Sequence, residues 1–388
     1  MAYGETLGCP DHYTATVHWR GGERVYTYVD KVESVTWARE RRKVSEAAIV
    51  VAASGVSSGC MERLLTTYEG VHEITVYRDE KVVWQGPIKQ RQVTVSGNRP
   101  IQITFTAADV SEYVRRRLLA RTATLTNVDL SQVAQEVVRS TLSSRDPNVL
   151  AHMRATTVGQ TASRTLRAYS RYGGDELAEV AGLGVDWTAL GRTMYFSPPA
   201  DANTTPQGSI TGEHLVGEID VVSSLDDYAS RVFAAPQAQE NVWNHLEAVG
   251  GYSPIWGMWE HVVQTSYTYN LSPTGVWQPN GTGGPTRAQT NAALRRAAQA
   301  RHTVMSRPVL VVRPGEGSHL SPSTPISMDR LVPGARIDLA IGTGSPLAVQ
   351  AAMRLTRVQV SWSPEGERVT VSLVQMGSTQ DESELEEP

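Results

Sequence analysis

Glu73-Ile-Thr-Val-Tyr-Arg-Asp-Glu-Lys-Val-Val-Trp-Gln-Gly-Pro-Ile88 is the stretch that decides the fold. Ile74 and Val76 alternate with polar neighbours before Asp79-Glu80, and Val82 and Trp84 do so after it. Period-two alternation turns one face of a strand to a core and the other to water or a partner. The stretch therefore reads as two β-strands closed by a tight turn at Asp79-Glu80. Alternation puts Trp84 on one face with Val82, Ile74 and Val76, and that face is expected to be the core. Proline cannot donate to a ladder, so Gly86 and Pro87 are expected to end the second strand. Outward from the hairpin, Lys31-Val-Glu-Ser-Val-Thr-Trp-Ala-Arg39 leads through Arg41, Arg42 and Lys43 into a strand from Ala47 to Val51. Downstream, Ile101, Ile103 and Phe105 alternate with Gln102, Thr104 and Thr106. These strands carry no candidate nucleophile, metal cluster or phosphate loop, and describe a scaffold more readily than a reaction.

The rest of the chain supports a mainly β fold with an α+β insert. Strands are expected near 14–19, 24–30, 47–53, 73–78, 82–88, 91–96 and 101–106, spaced as in a small barrel or sandwich, with a turn at Gly97-Asn98. Asp109-Val-Ser-Glu112 reads as a capping box opening a helix with Tyr113, Val114 and Leu118 on one face. Asp129-Leu-Ser-Gln132 repeats the device before Leu130, Val133, Val137 and Val138, a core-facing stripe. A short helix from Asp175 to Gly182 and strands 185–190 and 193–196, turning at Gly191-Arg192, complete this middle part. Strands return at 218–223, 230–234, 308–313, 335–341, 353–362 and 368–375, the last two joined by a turn that uses Gly366 at positive φ. The division expected is a β-barrel domain at 1–107, an α+β domain at 108–215 and a second β-barrel domain at 216–376. The last carries a loop insertion at 235–285, ending in Pro279-Asn-Gly-Thr-Gly-Gly-Pro285, and an alanine-rich helix at 287–305. An acidic tail, 377–388, is expected to be disordered.

Composition narrows the function. The chain has 388 residues, enough for two or three domains, with 20% charged residues and a net charge of −4. There is no excess of positive charge to draw in a nucleic-acid backbone. Arg115-Arg-Arg117, the densest basic run, sits on an expected helix and reads as a solvated face or a protein interface. Four of the 36 basic residues are lysines, which leaves 32 arginines, as a GC-rich genome would produce. Two cysteines, Cys9 and Cys60, make no disulfide framework. With His12 they offer at most three of the four ligands a zinc site wants; metal, disulfide and two free thiols stay open. The first residues have neither the basic start nor the apolar core of a secretory signal. The longest apolar run, Ala47 to Ala53, falls far short of the roughly 20 residues that span a bilayer.

No catalytic constellation is complete. Gly55-Val-Ser-Ser-Gly59 lacks the nucleophile-elbow spacing, and Glu213-His214 and Glu260-His261 have no second histidine in register for a metal hydrolase. Asp226-Asp227 with Glu260 offers carboxylates for glycan cleavage, but adjacent strand residues point apart, which favours a polar turn. Trp243, Trp256, Trp259 and Trp277 lie in the Gly/Pro-rich stretch. Tryptophans there can pin the loop to its own domain, anchor a subunit interface or stack on sugar rings. They are the interface candidates; catalytic, cofactor-binding and metal residues are expected to be none.

A strand with Val35-Thr-Trp-Ala-Arg39, followed by the hairpin Tyr77-Arg-Asp79 to Val83-Trp-Gln-Gly-Pro-Ile88, resembles minor tail proteins of long-tailed actinobacterial phages, within the group of tail (baseplate) hub proteins. Gly174-Asp-Glu-Leu177, Val185-Asp-Trp-Thr188, Leu331-Val-Pro-Gly-Ala-Arg-Ile-Asp338 and the hairpin Leu355 to Leu373 continue the likeness over most of the chain. The resemblance implies two tail-tube-type β-barrel domains flanking a mixed domain, and a homotrimer whose barrels form a ring of six. Such a ring joins the sixfold tail tube or distal tail protein to threefold tip components, including a tail fibre or central tip protein. Its lumen passes the tape measure protein and then DNA in transit. The expected place is the virion tail tip, assembled in the bacterial host cytoplasm without a membrane, cofactor or enzymatic activity. The rivals are a hub of a contractile particle, a tail-associated cell-wall hydrolase and a glycan- or receptor-binding tip module.

Overall fold

The computed structural model describes residues 6–29, 31–52, 56–96, 99–142, 149, 152–198, 205–225, 228–235, 246–264, 287–306, 308–315, 317–342 and 348–376. The chain divides into two compact units. One is Met1–Asp220 with Arg313–Met376, and the other is Val221–Val312 with Gly377–Pro388.

The first unit opens with β1 (Tyr13–Trp19), β2 (Val25–Val29), β3 (Val32–Glu40), β4 (Glu46–Ala52), α1 (Ser58–Leu65), β5 (His72–Arg78), β6 (Lys81–Ser96) and β7 (Arg99–Ala108). The opening hairpin forms as expected. Arg78 faces Lys81 across a two-residue turn, and Asp79 and Glu80 have φ of 47° and 67°. Left-handed backbone at both turn positions matches the twist of the flanking strands. Trp84, Ile74 and Val76 are buried, as alternation requires, but Val82 is 49% exposed and Val83 is buried. The cause is a register shift: Tyr77 faces Val82 while Val76 faces Trp84, which leaves Val83 as an extra residue. A bulge of this kind breaks the period of two, and alternation cannot be counted through it.

Gly86 and Pro87 do not end the strand. β6 runs on to Ser96, so the two strands expected at 82–88 and 91–96 are one. Up to Pro87 the partner is β5, and from Ile88 it is β7. Proline lacks its donor where the ladder changes partner. Gly86 is required by a close approach there, because a Cβ would lie 1.8 Å from the Ala108 carbonyl oxygen. The turn at Gly97-Asn98 lies outside the described residues.

The middle part holds α2 (Ser111–Arg115), β8 (Ala123–Asp129), α3 (Leu130–Leu142), β9 (His152–Ala155), β10 (Thr161–Leu166), α4 (Gly173–Gly182), β11 (Asp186–Leu190) and β12 (Thr193–Ser197). Its core gathers Val133, Val137 and Val138 of α3 with Leu177 and Val180 of α4 and Trp187 and Phe196. The Asp109 box is rearranged. The carboxylate of Asp109 accepts from the backbone N–H groups of Ser111 and Ser45, and Glu112 turns instead to Arg115 and Arg116. α2 stops at Arg115, short of Leu118. The Asp129 cap forms, accepting from the Ser131 N–H at 2.9 Å.

After β13 (Gly208–Thr211) and β14 (Leu215–Val216), β15 (Ile219–Ser224) leads into the second unit. That unit contains β16 (Arg231–Ala235), β17 (Glu247–Gly250), β18 (Glu260–Gln264) and α5 (Arg287–Met305). β16 pairs antiparallel with β17 and parallel with β18. Leu294, Ala298 and Met305 of α5 close a core over Val232 and Ala234. The stretch expected as a loop, 235–285, thus carries two strands, while 279–285 lies outside the described residues.

β19 (Val309–Pro314) leads back to the first unit, which ends with β20 (His319–Leu320), β21 (Arg336–Ile341), β22 (Val349–Ser363) and β23 (Gly366–Gln375). β22 pairs with β23 on one side and with β3 on the other. The order β23-β22-β3-β4-β7-β6-β5-β1-β2 is one continuous sheet joining both ends of the chain. Residues 313–376 therefore pack with the N-terminal part, where the sequence drew one domain from 216 to 376. Ser363 faces Gly366, whose φ is 131°, as the turn reading required. Among the described residues no helix is long and apolar enough to cross a membrane.

Candidate interaction surface

The motifs scattered along the sequence meet in the first unit. Arg39, at the end of Val35-Thr-Trp-Ala-Arg39, is buried and donates to the carbonyls of Val83 (2.9 Å), Met328 (3.0 Å) and Leu331 (3.2 Å). Its guanidinium stacks 5.0 Å from the Trp37 ring. Burial draws the Arg39 pKa down to about 10, against the pull of Asp329. Two residues on, Arg41 and Arg42 reach Asp186 Oδ1 at 2.5 and 2.8 Å. Burial pushes the Asp186 carboxyl up, but Arg41, Arg42 and Arg354 outweigh it and hold the group below the usual carboxylate range. Arg192, at the β11–β12 turn, pairs with buried Glu73, which also accepts from the Tyr113 hydroxyl at 3.0 Å. Arg78 pairs with Glu367 at 2.8 Å, linking the β5–β6 hairpin to the β22–β23 hairpin.

These groups are structural ties. They satisfy buried backbone carbonyls and pair buried charges, which keeps polar groups tolerable inside a β-rich core. Beside them is a cavity of about 260 Å³ lined by Asp186, Trp187, Tyr195, Gln207, Asp329 and Gly334 among others. Its lining has no nucleophile with a base in hydrogen-bond reach.

Of the interface candidates, Trp256 and Trp259 lie in the connection between β17 and β18; Trp243 and Trp277 lie outside the described residues. The connection has a fixed shape. Ser253 and Gly257 exchange backbone hydrogen bonds of 3.0 and 2.9 Å. The Ser253 hydroxyl accepts from the Ile255 and Trp256 N–H groups, and the Trp259 indole N–H donates to the Trp256 carbonyl at 2.7 Å. The Trp259 backbone N–H is held by the Ser230 hydroxyl at 2.9 Å, and Trp256 sits edge-on to Tyr228 with ring centres 5.3 Å apart. Built this way, the loop exposes Ile255 (75%), Trp259 (48%) and Trp256 (37%), with Tyr252, Met258 and Val262 beside them. Tyr252, Ile255 and Met258 did not figure among the sequence candidates. The available signal was a run free of charge from Gly251 to Trp259.

The remaining candidates do not assemble chemistry. Glu260 opens β18 and pairs with Arg231 at 3.5 Å, while Asp226 and Asp227 lie outside the described residues. His214 Nδ1 accepts from the Thr211 N–H at 3.1 Å, a turn contact. Ser57 caps α1 by accepting from the Cys60 N–H. Cys9 and Cys60 are free thiols, and no group of three or more metal-ligating side chains occurs among the described residues. Arg115 and Arg116 share the Glu112 carboxylate, which offsets one of the three charges of the basic run.

No family model and no curated protein sequence matches the chain. Solved structures do. A prophage MuSo2 43 kDa tail protein from Shewanella oneidensis superposes with a TM-score of 0.62 at 10% identity, over 94% of this chain and 99% of that one. A tail protein from Neisseria meningitidis MC58 gives 0.58 at 12% identity, over 94% and 97%. The chain has the fold of phage tail proteins. The prophage tail protein gp18 from Listeria monocytogenes EGD-e agrees, with 0.57 at 10% identity over 96% of each chain. At such identities the likeness is one of fold, and it extends over nearly the whole of each tail protein.

Proposed function

We propose that this chain is a structural phage tail component: a tail-tip hub that assembles as a homotrimer and joins the sixfold tube to threefold tip parts. The supporting observation is the match in fold, over 94–96% of this chain, to two prophage tail proteins and a third tail protein. The architecture suits the role, because one sheet uniting both ends of the chain makes a stiff unit for a ring. In the same reading the sheet supplies the two barrel-like modules of each chain, and three copies surround a channel for the tape measure protein and DNA. The partners are the distal tail protein or tail tube on one side and a fibre or central tip protein on the other. In this reading the chain acts by assembly and not by catalysis.

Symmetry analysis of purified virions by electron microscopy, with the protein located by antibody, tests the reading. Three copies at the tail tip are expected. A single copy, true sixfold symmetry, or a place outside the tail would overturn it. Zymography on host peptidoglycan tests the absence of wall-degrading activity, and clearing by the purified protein would reassign it as a hydrolase.

A further inference from the structure

The cavity beside Asp186 gathers polar groups that the fold leaves unpaired. Asp186 Oδ2 and the indole N–H of Trp187 are buried, and neither has a hydrogen-bond partner among the described residues. Buried polar atoms are almost always paired, so each such orphan asks for an explanation. The side chains of Tyr195, Gln207 and Asp329 also line the cavity, and they make no hydrogen bond or ion pair among the described residues. Gly334 leaves the carboxylate open, since a Cβ there would stand 3.7 Å from Asp186 Oδ2. All of these residues belong to the first unit.

We propose that this cavity binds one neutral sugar ring, either a free monosaccharide or the terminal hexose of a glycan. Its volume, about 260 Å³, falls just below the roughly 300–1,000 Å³ of pockets for drug-sized ligands, which suits a single ring. Water alone is a poorer occupant. It satisfies the orphan atoms, but it gains nothing from the walls that Trp187, Tyr195, Val332 and Pro333 supply. A pyranose has C–H faces for such walls and a rim of hydroxyls that both donate and accept. A sugar hydroxyl donates to Asp186 Oδ2 or Asp329 and accepts from the Trp187 or Tyr195 side chain. Charge disfavours ionic ligands. Arg41, Arg42 and Arg354 already act on Asp186, and Arg39 and Asp329 act on each other, so a cation finds no uncompensated acid. An anion would meet Asp186 Oδ2 and Asp329, which as carboxylates only accept. The inference uses neither the trimer nor the tail-tip position, and it adds a ligand to a chain read as structural.

Saturation-transfer NMR and titration calorimetry of the full-length protein test this with glucose, galactose, mannose and their methyl glycosides. At least one is expected to bind with a Kd of about 1 mM, as a ligand of about a dozen heavy atoms does at ordinary efficiency. Tyr195→Phe and Gln207→Ala break no tie in the fold. Each is expected to weaken binding several-fold, up to about tenfold, without moving the melting temperature. Tyr172→Phe, at a residue that does not line the cavity, is expected to bind as wild type does. Methyl glycosides that bind as well as the free sugars would make the ligand a glycan terminus, and a need for the free anomeric hydroxyl would make it a monosaccharide. No detectable binding by any of these sugars well above that Kd would overturn the proposal. So would binding that neither cavity variant weakens. Binding of propionamide and of none of the sugars would overturn it as well, and reassign the cavity to an amide side chain of a partner protein. The hub reading stands or falls separately, on copy number and place at the tail tip.

Discussion

Trp84 and Asp186 carry different kinds of stability. Trp84 is 3% exposed beneath the first hairpin. Replacing a buried tryptophan by alanine costs about 3–5 kcal/mol, a large share of a typical total of roughly 5–15 kcal/mol. Trp84→Ala is therefore expected to lose soluble protein or to melt far below wild type; an unchanged melting temperature would show the side chain to be dispensable. At Asp186 the term is electrostatic. Its carboxyl is held below the ordinary range in the fold, so between the two pKa values the unfolded chain binds more protons and stability rises with pH. The contribution is complete above the unfolded value of about 3.9 and disappears as pH falls through the folded one. Asp186→Asn leaves Arg41 and Arg42 without their buried carboxylate, a change that typically costs about 3–5 kcal/mol. Melting curves from pH 7 to pH 2 should show a large deficit at neutral pH that narrows in strong acid. A deficit constant with pH would remove the charge from the account.

Among the elements, β6 does most to shape the fold, since it passes from β5 to β7 at Pro87–Ile88. The handover needs Gly86, whose place leaves no room for a Cβ against Ala108. Gly86→Ala must push backbone apart, and a loss of several kcal/mol is expected, of the order seen for overpacked cores or above (about 1–3 kcal/mol). Denaturant unfolding checks it, and a shift below about 0.5 kcal/mol would show that the strand has slack. β8 and β10 escaped the sequence reading for a related reason. They form a separate two-stranded ribbon whose residues are mostly exposed or half-buried, so no clean apolar alternation marks them. β17 and β18 were hidden by the glycines, prolines and aromatics around them.

On the scale of the whole molecule, the last hairpin completes the first sheet. β22 pairs with β3 from Arg357 facing Glu40 to Trp362 facing Val35, and Glu367 ties to Arg78. A chain stopped before Val349 would expose β3 as a long unpaired edge with buried side chains uncovered, which is a template for aggregation. Such a truncation is expected to be insoluble even though it keeps every strand of the opening segment. Soluble protein with a cooperative melt from residues 1–348 would show that the N-terminal sheet stands alone.

Short-range physics accounts for the local features. The turn at Asp79-Glu80, the stripe of Val133, Val137 and Val138, the helix at 287–305 and the turn at Gly366 follow from period, capping and backbone freedom, all set within a few residues. The resemblance to tail proteins was legible for the same reason, in short motifs at a characteristic order. What those motifs do together depends on long-range pairing. Arg39 is far in the chain from Val83 and Leu331, as Arg41 is from Asp186, and their hydrogen bonds exist only because the fold brings these segments together. The bulge at Val83 and the passage of β6 through Pro87 depend on a partner strand, not on the residues alone. The exposed loop at 251–262 combines both levels. Its uncharged run is visible in the sequence, but whether those side chains face a core or water is decided by the hydrogen bonds that fold the loop outward.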